Sequence, residues 1–481
     1  MAHPVSTNDQ ITFPTTIASG QRPVWLLSMD SEDFYAAPTT TATLKAYYQQ
    51  HSDRAAESHL ELVHFPEGAD IDSWLQQWQK TGLEQAKAAL KVGQQPVVGL
   101  SVYTWNAAEF IQISRDLKAL CPELVIIAGG PHVQQAEDFI GVDPIDAIVI
   151  GEGEQTFAAF LDANSDCKGR AEWPKINGLA FQQLDGACIR TESRERIKEL
   201  VNIPSPLTVL ELADQDGKPL YESICYETSR GCPFKCSFCE WGTGAIGTKM
   251  LQFPLERVEA DFRRIVASGI ENIWLADSNF GALRDDVAKT DLICALKQET
   301  GLPKTFATSW SKAHNKKVQE IVLKLNANGL LPHYQLALQT LTPLALKLSN
   351  RRNMGVNKYG PIAKQMAKDG VPIASELIWG LPGDNLPEFE KNLDTLLAIF
   401  PSVNIFGYTL LPGTEFYEKR DEYQLQTIPI AGYGKAKGEY VIGSHTYSRE
   451  EGLEGYFLIS SHIVLLQGYL LPLTIRYLCL Q

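Results

Sequence analysis

Basic residues are scarce in this sequence relative to acidic ones. There are 43 Lys and Arg against 57 Asp and Glu, which gives a net charge of −14 at pH 7. Such a surface repels polyphosphate, so it disfavours a broad nucleic-acid-binding face. It also disfavours attraction to an anionic membrane. We therefore expect neither a nucleic acid nor a membrane as a partner.

A signal peptide is not predicted, because the first residues, MAHPVSTNDQITF, show no charged segment followed by an apolar run. A chain of 481 residues does not need disulfides to fold, and its 9 cysteines are an odd number. We expect a cytoplasmic protein with reduced thiols, in which clustered cysteines indicate metal or redox chemistry. The length also implies two or more domains.

The first third of the chain alternates apolar runs with helical stretches such as residues 107–120. The apolar runs are at residues 24–29, 60–65, 97–102, 124–128 and 147–150. Continuous apolar strands that alternate with helices indicate a parallel sheet covered on both faces. We therefore predict an α/β fold with an N-terminal doubly wound parallel sheet, whose ligands bind at the carboxyl ends of the strands.

A second series of strands begins at Ser223, after a polar, proline-containing segment at 163–222. Six apolar strand candidates follow, at 224–229, 272–279, 305–310, 333–340, 373–380 and 403–411. Helical segments separate them, and residues 255–266 place their apolar side chains on one stripe. Six β/α units predict a partial (β/α)6, TIM-like barrel with its site at the carboxyl ends of the strands.

The last residues, 456–481, are apolar, and residues 455–475 carry no formal charge. That length suffices to span a bilayer. The Ser, His, Gln and Pro residues within it are costly in a membrane, so we expect a short helical C-terminal region instead.

Three cysteines follow the first strand of the second series. Residues 230–242 read RGCPFKCSFCEWG, which spaces Cys232, Cys236 and Cys239 as C-x3-C-x2-C. Four cysteines usually hold a 4Fe–4S cluster, so three leave one iron open, as catalytic sites require. The alternative is a zinc knuckle, but no His between residues 133 and 313 offers a local fourth ligand. The spacing favours a 4Fe–4S cluster, with these three cysteines as metal ligands and catalytic residues.

This loop, placed after the first of six β/α units, resembles that of the radical S-adenosylmethionine (SAM) superfamily. Phe238, the aromatic residue before the third cysteine, also matches the family. In that family SAM binds the open iron, and the reduced cluster cleaves it to methionine and a 5′-deoxyadenosyl radical. The resemblance, which covers about residues 220–415, implies an enzyme that uses a 4Fe–4S cluster, SAM and an external electron donor similar to flavodoxin or ferredoxin.

Further motifs resemble the cobalamin-associated branch of the superfamily: GLPG (380–383), LLPGT (410–414) and DSNFG (277–281). The implied SAM-binding residues are Phe238, Trp241, Asp277, Asn279, Gln339, Glu376 and Ile378. The chain departs from the family at two strands. The fourth strand often ends in Glu-Ser and here ends in Gln339-Thr340. The fifth-strand pattern G-x-I-x-G-x-x-E has Glu376 and Gly383 at its first and last positions.

The N-terminal half resembles the cobalamin-binding domain that precedes the barrel in many members. Small residues at strand ends allow a planar corrin to approach the backbone. The implied cobalamin-binding residues are Ser101, Tyr103, Thr104, Trp105, Gly129, Gly130, Gly151, Glu152, Gly153 and Glu154. The D-x-H-x-x-G signature, whose His ligates cobalt, is absent, because the first strand is followed by MDSEDFYAAP. Many members bind cobalamin without that His.

The resemblance divides the chain into a flexible arm (1–20), a cobalamin-binding-like domain (21–162), a linker (163–222), a radical SAM barrel (223–415) and a C-terminal region (416–481). It implies a cobalamin-dependent methyltransferase acting on an unactivated carbon of a small-molecule or peptide substrate. One alternative is a radical SAM cyclisation or rearrangement enzyme without methyl transfer. The other is a non-enzymatic iron–sulfur redox protein, although a pure electron carrier needs four protein ligands and no barrel.

Overall fold

The computed structural model describes residues 17, 20–30, 35–66, 68–183, 185–243, 247–431 and 437–467. Most of the predicted arm (1–20) and the end of the predicted C-terminal region lie outside these residues. The chain forms two compact units. The first unit comprises Met1–Tyr226 and Leu251–Ile270, and the second comprises Glu227–Met250 and Glu271–Gln481.

The first unit contains strands and helices in alternation. Its strands are β1 (Arg22–Met29), β2 (Ala36–Ala37), β3 (Ser58–Phe65), β4 (Val97–Ser101), β5 (Val125–Gly129), β6 (Ala147–Val149), β7 (Leu179–Gln182), β8 (Cys188–Arg190), β9 (Ser223–Tyr226) and β11 (Leu251–Gln252). Its helices are α1 (Thr39–His51), α2 (Ile71–Lys80), α3 (Gly82–Lys91), α4 (Ala107–Leu120), α5 (Glu154–Ala163) and α6 (Leu255–Ala267). Seven strands form one sheet in the order β3-β1-β4-β5-β6-β7-β8.

Both faces of this sheet are buried. Trp25 and Leu27 of β1 belong to one apolar cluster, whereas Val24 and Leu26 belong to another. Helices α2 and α4 contribute to the first cluster, in which Trp78 packs edge-on against Trp25 at 5.5 Å between ring centroids. Helices α1 and α5 contribute to the second. Since successive side chains of a strand point to opposite faces, this alternation confirms the predicted doubly wound sheet.

The last two strands of this sheet lie in the segment predicted to be a linker, 163–222. Strands β3, β1, β4, β5 and β6 pair in parallel, but β7 and β8 pair in antiparallel fashion. Both strands are short and carry polar residues, so they give only a weak apolar signal. Their pairing with β6 extends the sheet beyond the apolar runs that mark its other strands.

The second unit repeats strand and helix, and a small antiparallel sheet and a final helix follow. The C-terminal region 416–481, predicted to be helical, therefore contains two strands as well as a helix. Its strands are β10 (Ser229–Arg230), β12 (Asn272–Phe280), β13 (Thr305–Trp310), β14 (Tyr334–Gln339), β15 (Ile373–Trp379), β16 (Ser402–Gly407), β17 (Thr409–Leu410), β18 (Gln426–Ala431) and β19 (Lys437–Gly443). Its helices are α7 (Asp286–Thr300), α8 (Lys316–Ala327), α9 (Pro343–Leu348), α10 (Tyr359–Lys368), α11 (Leu386–Leu397), α12 (Glu415–Glu418) and α13 (Arg449–His462).

Parallel pairing joins β12 to β13, and it also joins β14, β15 and β16. Helices lie between successive strands, as the β/α prediction requires. In β12, Ile273 and Leu275 are buried while Trp274 is 53% exposed. This alternation stops further along the strand, where the register against β13 shifts between Leu275 and Phe280. Three consecutive residues within that irregular stretch, Asp277–Asn279, are all buried.

The C-terminal helix α13 packs against the end of the strand series. It begins with a capping box, in which Ser448 and Glu451 bond each other's backbone N–H groups. The indole Nε1 of Trp379 on β15 donates to the carbonyl of Gly452 at 3.0 Å. No helix among the described residues is long and apolar enough to cross a bilayer. The final residues, 468–481, lie outside the described residues.

Candidate functional site

A cavity of about 410 Å³ lies in the second unit and contains the cysteine motif in its wall. All three motif cysteines line it, together with Phe238 and Trp241. We call residues 228–243 the cysteine loop. The opposite wall comes from the strands, through residues such as Asn279, Gln339 and Glu376. The cavity therefore joins the motif to the inner face of the β/α strands.

The end of β12 holds the first part of the cysteine loop. Asp277 accepts hydrogen bonds from the backbone N–H groups of Thr228 (2.7 Å) and Ser229 (3.0 Å), and from both of their hydroxyls. Ser278 Oγ donates to the carbonyl of Gly231 at 2.6 Å. Each of these contacts fixes backbone immediately before Cys232, so β12 sets the position at which the motif begins.

Asp277 belongs to a buried network of charges behind the loop. It is fully buried, and burial raises the pKa of its carboxyl while the nearby Lys289 ammonium and the Thr228 hydrogen bonds oppose that effect. Lys289 Nζ lies 2.9 Å from Thr228 Oγ1 and 3.0 Å from Asp286 Oδ1. Because buried charges are tolerated only when they are paired and hydrogen-bonded, this network makes the loop attachment sensitive to substitution.

The second part of the loop is held from the other side. The backbone N–H of Ser237 donates to the carbonyl of Ser349 at 3.1 Å, and its hydroxyl donates to Glu415 Oε2 at 2.7 Å. The N–H of Phe416 in turn donates to the Ser237 carbonyl at 3.1 Å. Two sequence-distant segments therefore fix the residue that follows Cys236.

Positive charge surrounds the middle cysteine. Lys312 Nζ lies 2.9 Å from Cys236 Sγ, and Arg351 Nη1 lies 3.8 Å from the same sulfur. Lys312 also lies 3.9 Å from the ring centroid of Phe234. At the first cysteine the donor is neutral, because Asn279 Nδ2 lies 3.3 Å from Cys232 Sγ. Neither Lys312 nor Arg351 belongs to a recognisable sequence motif, so neither was predicted to lie at the site.

The third cysteine lies in a less favourable environment for a thiolate. Burial raises the pKa of Cys239 to about 11, with a further contribution from Cys236. A free thiol here therefore carries its proton at neutral pH. A bound metal deprotonates a coordinating thiol outright, so metal binding at this residue releases a proton.

The strand wall of the cavity is polar. Gln339 Nε2 donates to Glu376 Oε1 at 2.6 Å, and the side-chain amide of Gln335 donates to the other carboxylate oxygen. Burial raises the pKa of Glu376, against the opposing effects of the Gln339 hydrogen bond and the Arg351 charge. Gln339 itself has φ +68°, a conformation that is costly for a residue with a side chain and that concentrates at functional sites.

These residues fit a metal cluster with a polar ligand beside it. Within the described ranges, no group of three or more His, Cys, Asp or Glu side chains converges on a single metal ion. Three thiolates of an iron–sulfur cluster bind three different irons, so they need not converge on one point. Two buried oxygens in the cavity wall, Asn279 Oδ1 and Gln339 Oε1, lack a hydrogen-bond partner among the described residues.

The structure brings five of the seven predicted SAM-binding residues into the cavity wall: Phe238, Trp241, Asn279, Gln339 and Glu376. Asp277 and Ile378 are not in that wall. Asp277 faces the backbone of the cysteine loop, where its hydrogen bonds are made. Exposed aromatic residues that the motif reading did not single out, Trp274 and Phe406, also line the cavity. Their position on the predicted strands 272–279 and 403–411 is the sequence feature that could have indicated them.

The predicted cobalamin-binding residues lie at the carboxyl ends of β4, β5 and β6, which are neighbours in the first sheet. We call this edge the glycine edge, comprising residues 101–105, 129–130 and 151–154. Gly130 has φ +113°, and a Cβ there would lie 2.4 Å from the carbonyl oxygen of Val102. Gly151 has φ +79°, and its N–H donates to Gln134 Oε1 at 3.0 Å. Only glycine fits these two positions without strain.

Aromatic rings stack at the end of β4. Tyr103 and Trp105 lie 4.4 Å apart between ring centroids with planes 11° apart, and Trp105 Nε1 donates to the Met29 carbonyl at 3.3 Å. Thr104 Oγ1 lies 3.3 Å from His132 Nδ1. Buried Asn106 fixes this turn: its side chain donates to the Ser101 carbonyl at 3.1 Å and accepts from the Tyr103 N–H at 2.8 Å.

The remaining residues of the glycine edge follow β6 and end β5. Glu152 Oε2 accepts from the Ile197 N–H at 2.8 Å, and Glu154 is 5% exposed at the start of α5. Gly153 precedes that helix, and a Cβ at Gly129 would make only an ordinary contact of 3.5 Å with Val149. The small residues and flat rings of this edge fit a large planar ligand held through the backbone.

A histidine near the glycine edge has hydrogen-bond partners at both of its ring nitrogens. His64, at the end of β3, has Nδ1 2.9 Å from Ser28 Oγ and Nε2 3.1 Å from Asp30 Oδ2. With both ring nitrogens hydrogen-bonded, it does not replace the missing D-x-H-x-x-G histidine. Residues 31–34 of the MDSEDFYAAP segment lie outside the described residues. The open backbone and stacked rings of the glycine edge therefore fit a planar corrin.

Two family models match the chain. Residues 226–396 match the Radical SAM superfamily, and residues 68–161 match the B12 binding domain. Among curated proteins, the cobalamin-dependent radical SAM methyltransferase TokK of Streptomyces tokunonensis is 25% identical over 384 residues, covering 76% of this chain and 56% of TokK. A 2-(S-pantetheinyl)-carbapenam-3-carboxylate methyltransferase of Streptantibioticus cattleyicolor is 26% identical over the same lengths.

The fold matches a solved structure as well. The radical S-adenosylmethionine methyltransferase TsrM of Kitasatospora setae, solved with cobalamin and a [4Fe-4S] cluster, superposes with a TM-score of 0.65 at 14% identity. The match covers 92% of each chain. This chain spans only 56% of the length of the curated relatives described above. The fold expectation is thus confirmed for both halves of the chain.

Proposed function

We propose, from the match of residues 226–396 to the Radical SAM superfamily and of residues 68–161 to the B12 binding domain, that this chain is an enzyme that methylates an unactivated carbon. The two domains imply three cofactors, namely a 4Fe–4S cluster, SAM and cobalamin. When bound, the reduced cluster supplies the electron that splits SAM to a 5′-deoxyadenosyl radical, and cobalamin carries the methyl group.

One observation carries this proposal: among the described residues, three cysteines and no other cysteine line the 410 Å³ cavity beside unsatisfied polar atoms. Cys225, the next cysteine in sequence, lies on β9 and is exposed. Three thiolates on a cluster leave one iron for a small ligand, which a pure electron carrier does not need. The cavity wall offers that ligand hydrogen-bonding groups at Asn279, Gln339 and Glu376.

The residues of the second unit have separate roles in binding the cluster, positioning its loop, binding SAM and excluding water. Cys232, Cys236 and Cys239 hold the cluster, and Asp277 positions their loop from behind. Asn279, Gln339 and Glu376 bind the polar parts of SAM. Phe238 and Trp241, which lie in the same wall, exclude water from the reactive end of the cavity.

Methyl transfer is supported by the glycine edge of the first unit and by the names of the relatives. The glycines and the stacked pair Tyr103 and Trp105 give a flat ligand access to the backbone. The substrate that we propose is a small molecule or a peptide. The net charge of −14 disfavours tRNA, on which some more distant relatives act by name. A flavodoxin-like or ferredoxin-like protein would supply the electrons.

The test is anaerobic reconstitution with iron, sulfide and cobalamin, followed by SAM and a strong reductant. The measurements are iron per chain, cobalamin retained, and the two products of SAM. We expect about four irons per chain by the cluster stoichiometry, retained cobalamin, 5′-deoxyadenosine and S-adenosylhomocysteine. The last product records methyl transfer from SAM to cobalamin, because losing its methyl group converts SAM to S-adenosylhomocysteine.

Two variants separate the claims. Cys236→Ala should lose the iron and both products, while Cys225→Ala, which removes an exposed cysteine outside the cavity, should behave as wild type. Formation of 5′-deoxyadenosine without retained cobalamin would favour the rearrangement chemistry instead. If Cys236→Ala keeps its iron, the assignment of the cluster to this loop is wrong.

A further inference from the structure

Lys312 and Arg351 approach the same cysteine sulfur from sequence-distant positions. Lys312 lies 76 residues from Cys236 and Arg351 lies 115 residues from it. Lys312 follows β13, whereas Arg351 follows α9. Their convergence is a product of the fold, because nothing in the local sequence of the loop brings them there.

Neither cation forms a direct ion pair with a carboxylate in the described part of the molecule, although the Arg351 charge lowers the pKa of Glu376 from a greater distance. Within the described ranges, no Asp or Glu oxygen lies within the 4.0 Å ion-pair distance of Lys312 or Arg351. Arg351 is 7% exposed, and its other hydrogen bonds go to neutral acceptors, the carbonyls of Ala337 and Leu338 and the side chain of Asn353. Burying an unpaired charge is costly, so the site is built for an anion at Cys236.

The remaining donor at the loop supports the same conclusion. Asn279 Nδ2 points to Cys232 Sγ at 3.3 Å, so two of the three cysteine sulfurs already face N–H donors. Hydrogen bonds to sulfur and the net charge around a cluster both set its reduction potential. Donors and cations stabilise the more negative, reduced state and therefore make the cluster easier to reduce.

We propose that Lys312 and Arg351 are positioning residues that balance the negative charge of the cluster at Cys236 and raise its reduction potential, an inference that rests on the proposed function. Reduction adds one electron to the cluster from a low-potential donor protein, which is oxidised by one electron. The two cations move no proton in this step. They stabilise the added charge through their distance from the sulfur.

The experiment is a redox titration followed by electron paramagnetic resonance on the reconstituted protein without SAM. The reductant is dithionite, with mediators. The variants are Lys312→Met and Arg351→Met, and the matched controls are Lys316→Met and Arg352→Met, which remove exposed cations close by in sequence. The signal of the reduced cluster gives the midpoint potential directly and does not depend on turnover.

We expect Lys312→Met to make reduction at least tenfold less favourable, which is about 59 mV for a one-electron couple. Arg351→Met should shift the potential in the same direction by less, since its nitrogen is 3.8 Å from the sulfur rather than 2.9 Å. Arg351→Lys keeps the charge and should restore part of the shift. Both controls should match wild type.

The outcomes separate this inference from the proposed function. A Lys312→Met protein with full iron and an unchanged midpoint overturns the inference alone. A shift that is present only after SAM is added also overturns it, because Lys312 then acts on SAM. Loss of iron from Lys312→Met, with Lys316→Met fully loaded, supports charge balance at the cluster. Wild type without cluster iron overturns the proposed function itself.

Discussion

The cysteine loop of the second unit and the glycine edge of the first unit prepare for their ligands in different ways. Around the cysteine loop, the ligand site consists of charged or ionisable side chains: cysteine sulfurs, two cations and several carboxylates with raised pKa values. Burial raises the pKa of Glu240 to about 7, and it raises the pKa values of Asp277 and Glu376 as well. The charge of these side chains is therefore the property on which the cysteine loop depends most.

The glycine edge uses space instead. Gly130 and Gly151 adopt positive φ angles, and the rings of Tyr103 and Trp105 stack in near-parallel planes. A large, flat and neutral ligand needs direct access to the backbone. Side chains at these positions would block that access. The comparison teaches that substitutions that keep shape but change charge should damage the loop. Substitutions that keep charge but change shape should damage the edge.

The largest effect on cofactor binding should come from a charge change behind the cysteine loop. Asp277→Asn keeps the size of the side chain but removes the anion that faces Lys289, two hydroxyls and two backbone N–H groups. Breaking a buried charge network costs about 3 kcal/mol, so the urea-induced unfolding of the second unit should shift accordingly. The reconstituted variant should also bind less iron.

Its matched control is Asp291→Asn. Asp291 forms an exposed ion pair with Lys324 at 2.6 Å, and such pairs contribute less than about 1 kcal/mol. Equal shifts for the two variants would mean that the loop attachment has no special importance. If Asp277→Asn keeps its iron but loses cobalamin, the proposed contrast between the cysteine loop and the glycine edge is wrong.

An intermediate effect should come from a shape change at the glycine edge. Gly130→Ala adds one methyl group 2.4 Å from the Val102 carbonyl and forces alanine into a φ of +113°. Strain of this kind costs about 1–3 kcal/mol. We expect a lower melting temperature for the first unit and less cobalamin retained after gel filtration, while iron per chain stays at the wild-type value.

The neighbouring Gly129 provides the control. A Cβ there makes an ordinary 3.5 Å contact with Val149, so Gly129→Ala should retain both cofactors. If the two alanine variants retain cobalamin equally, backbone space at Gly130 is not what the ligand requires.

The variant expected to affect cofactor binding least concerns the pH dependence of the stability of the second unit, measured without cofactors. Asp384 is fully buried, and burial raises its pKa to about 7 from 3.8, so the folded state holds this proton more tightly than the unfolded state. Stability should therefore fall as the pH rises from about 4 to about 7 and change little above that. Asp384→Asn should flatten this part of the profile.

The measurement is the urea midpoint of wild type and Asp384→Asn at several pH values. Asp394→Asn, which removes a carboxylate of α11, is the control and should keep the wild-type slope. A wild-type midpoint that rises across this interval would reverse the sign of the argument and reject Asp384 as its source.

The regular parts of the fold were predictable because their signal is local. Strand β13 and helix α4 have the predicted limits, 305–310 and 107–120, since apolar runs and helical stripes mark them directly. In the predicted linker, the sequence indicates only a short strand-like piece at 177–181, which overlaps β7, because β7 and β8 are short and depend on β6 for pairing. The same contrast holds within the site. The cysteine spacing is visible in eight residues, whereas Lys312 and Arg351 become neighbours of Cys236 only through folding.

The register shift in β12 has a consequence for engineering. In a regular strand Asp277 and Asn279 would face one side and Ser278 the other. The irregular stretch between Leu275 and Phe280 instead allows Asp277, Ser278 and Asn279 to hold the loop at Thr228, Gly231 and Cys232 in turn. A chimera that takes the cysteine loop of one relative must therefore take the end of this strand with it. The two segments, 47 to 49 positions apart in the chain, form a single exchangeable part.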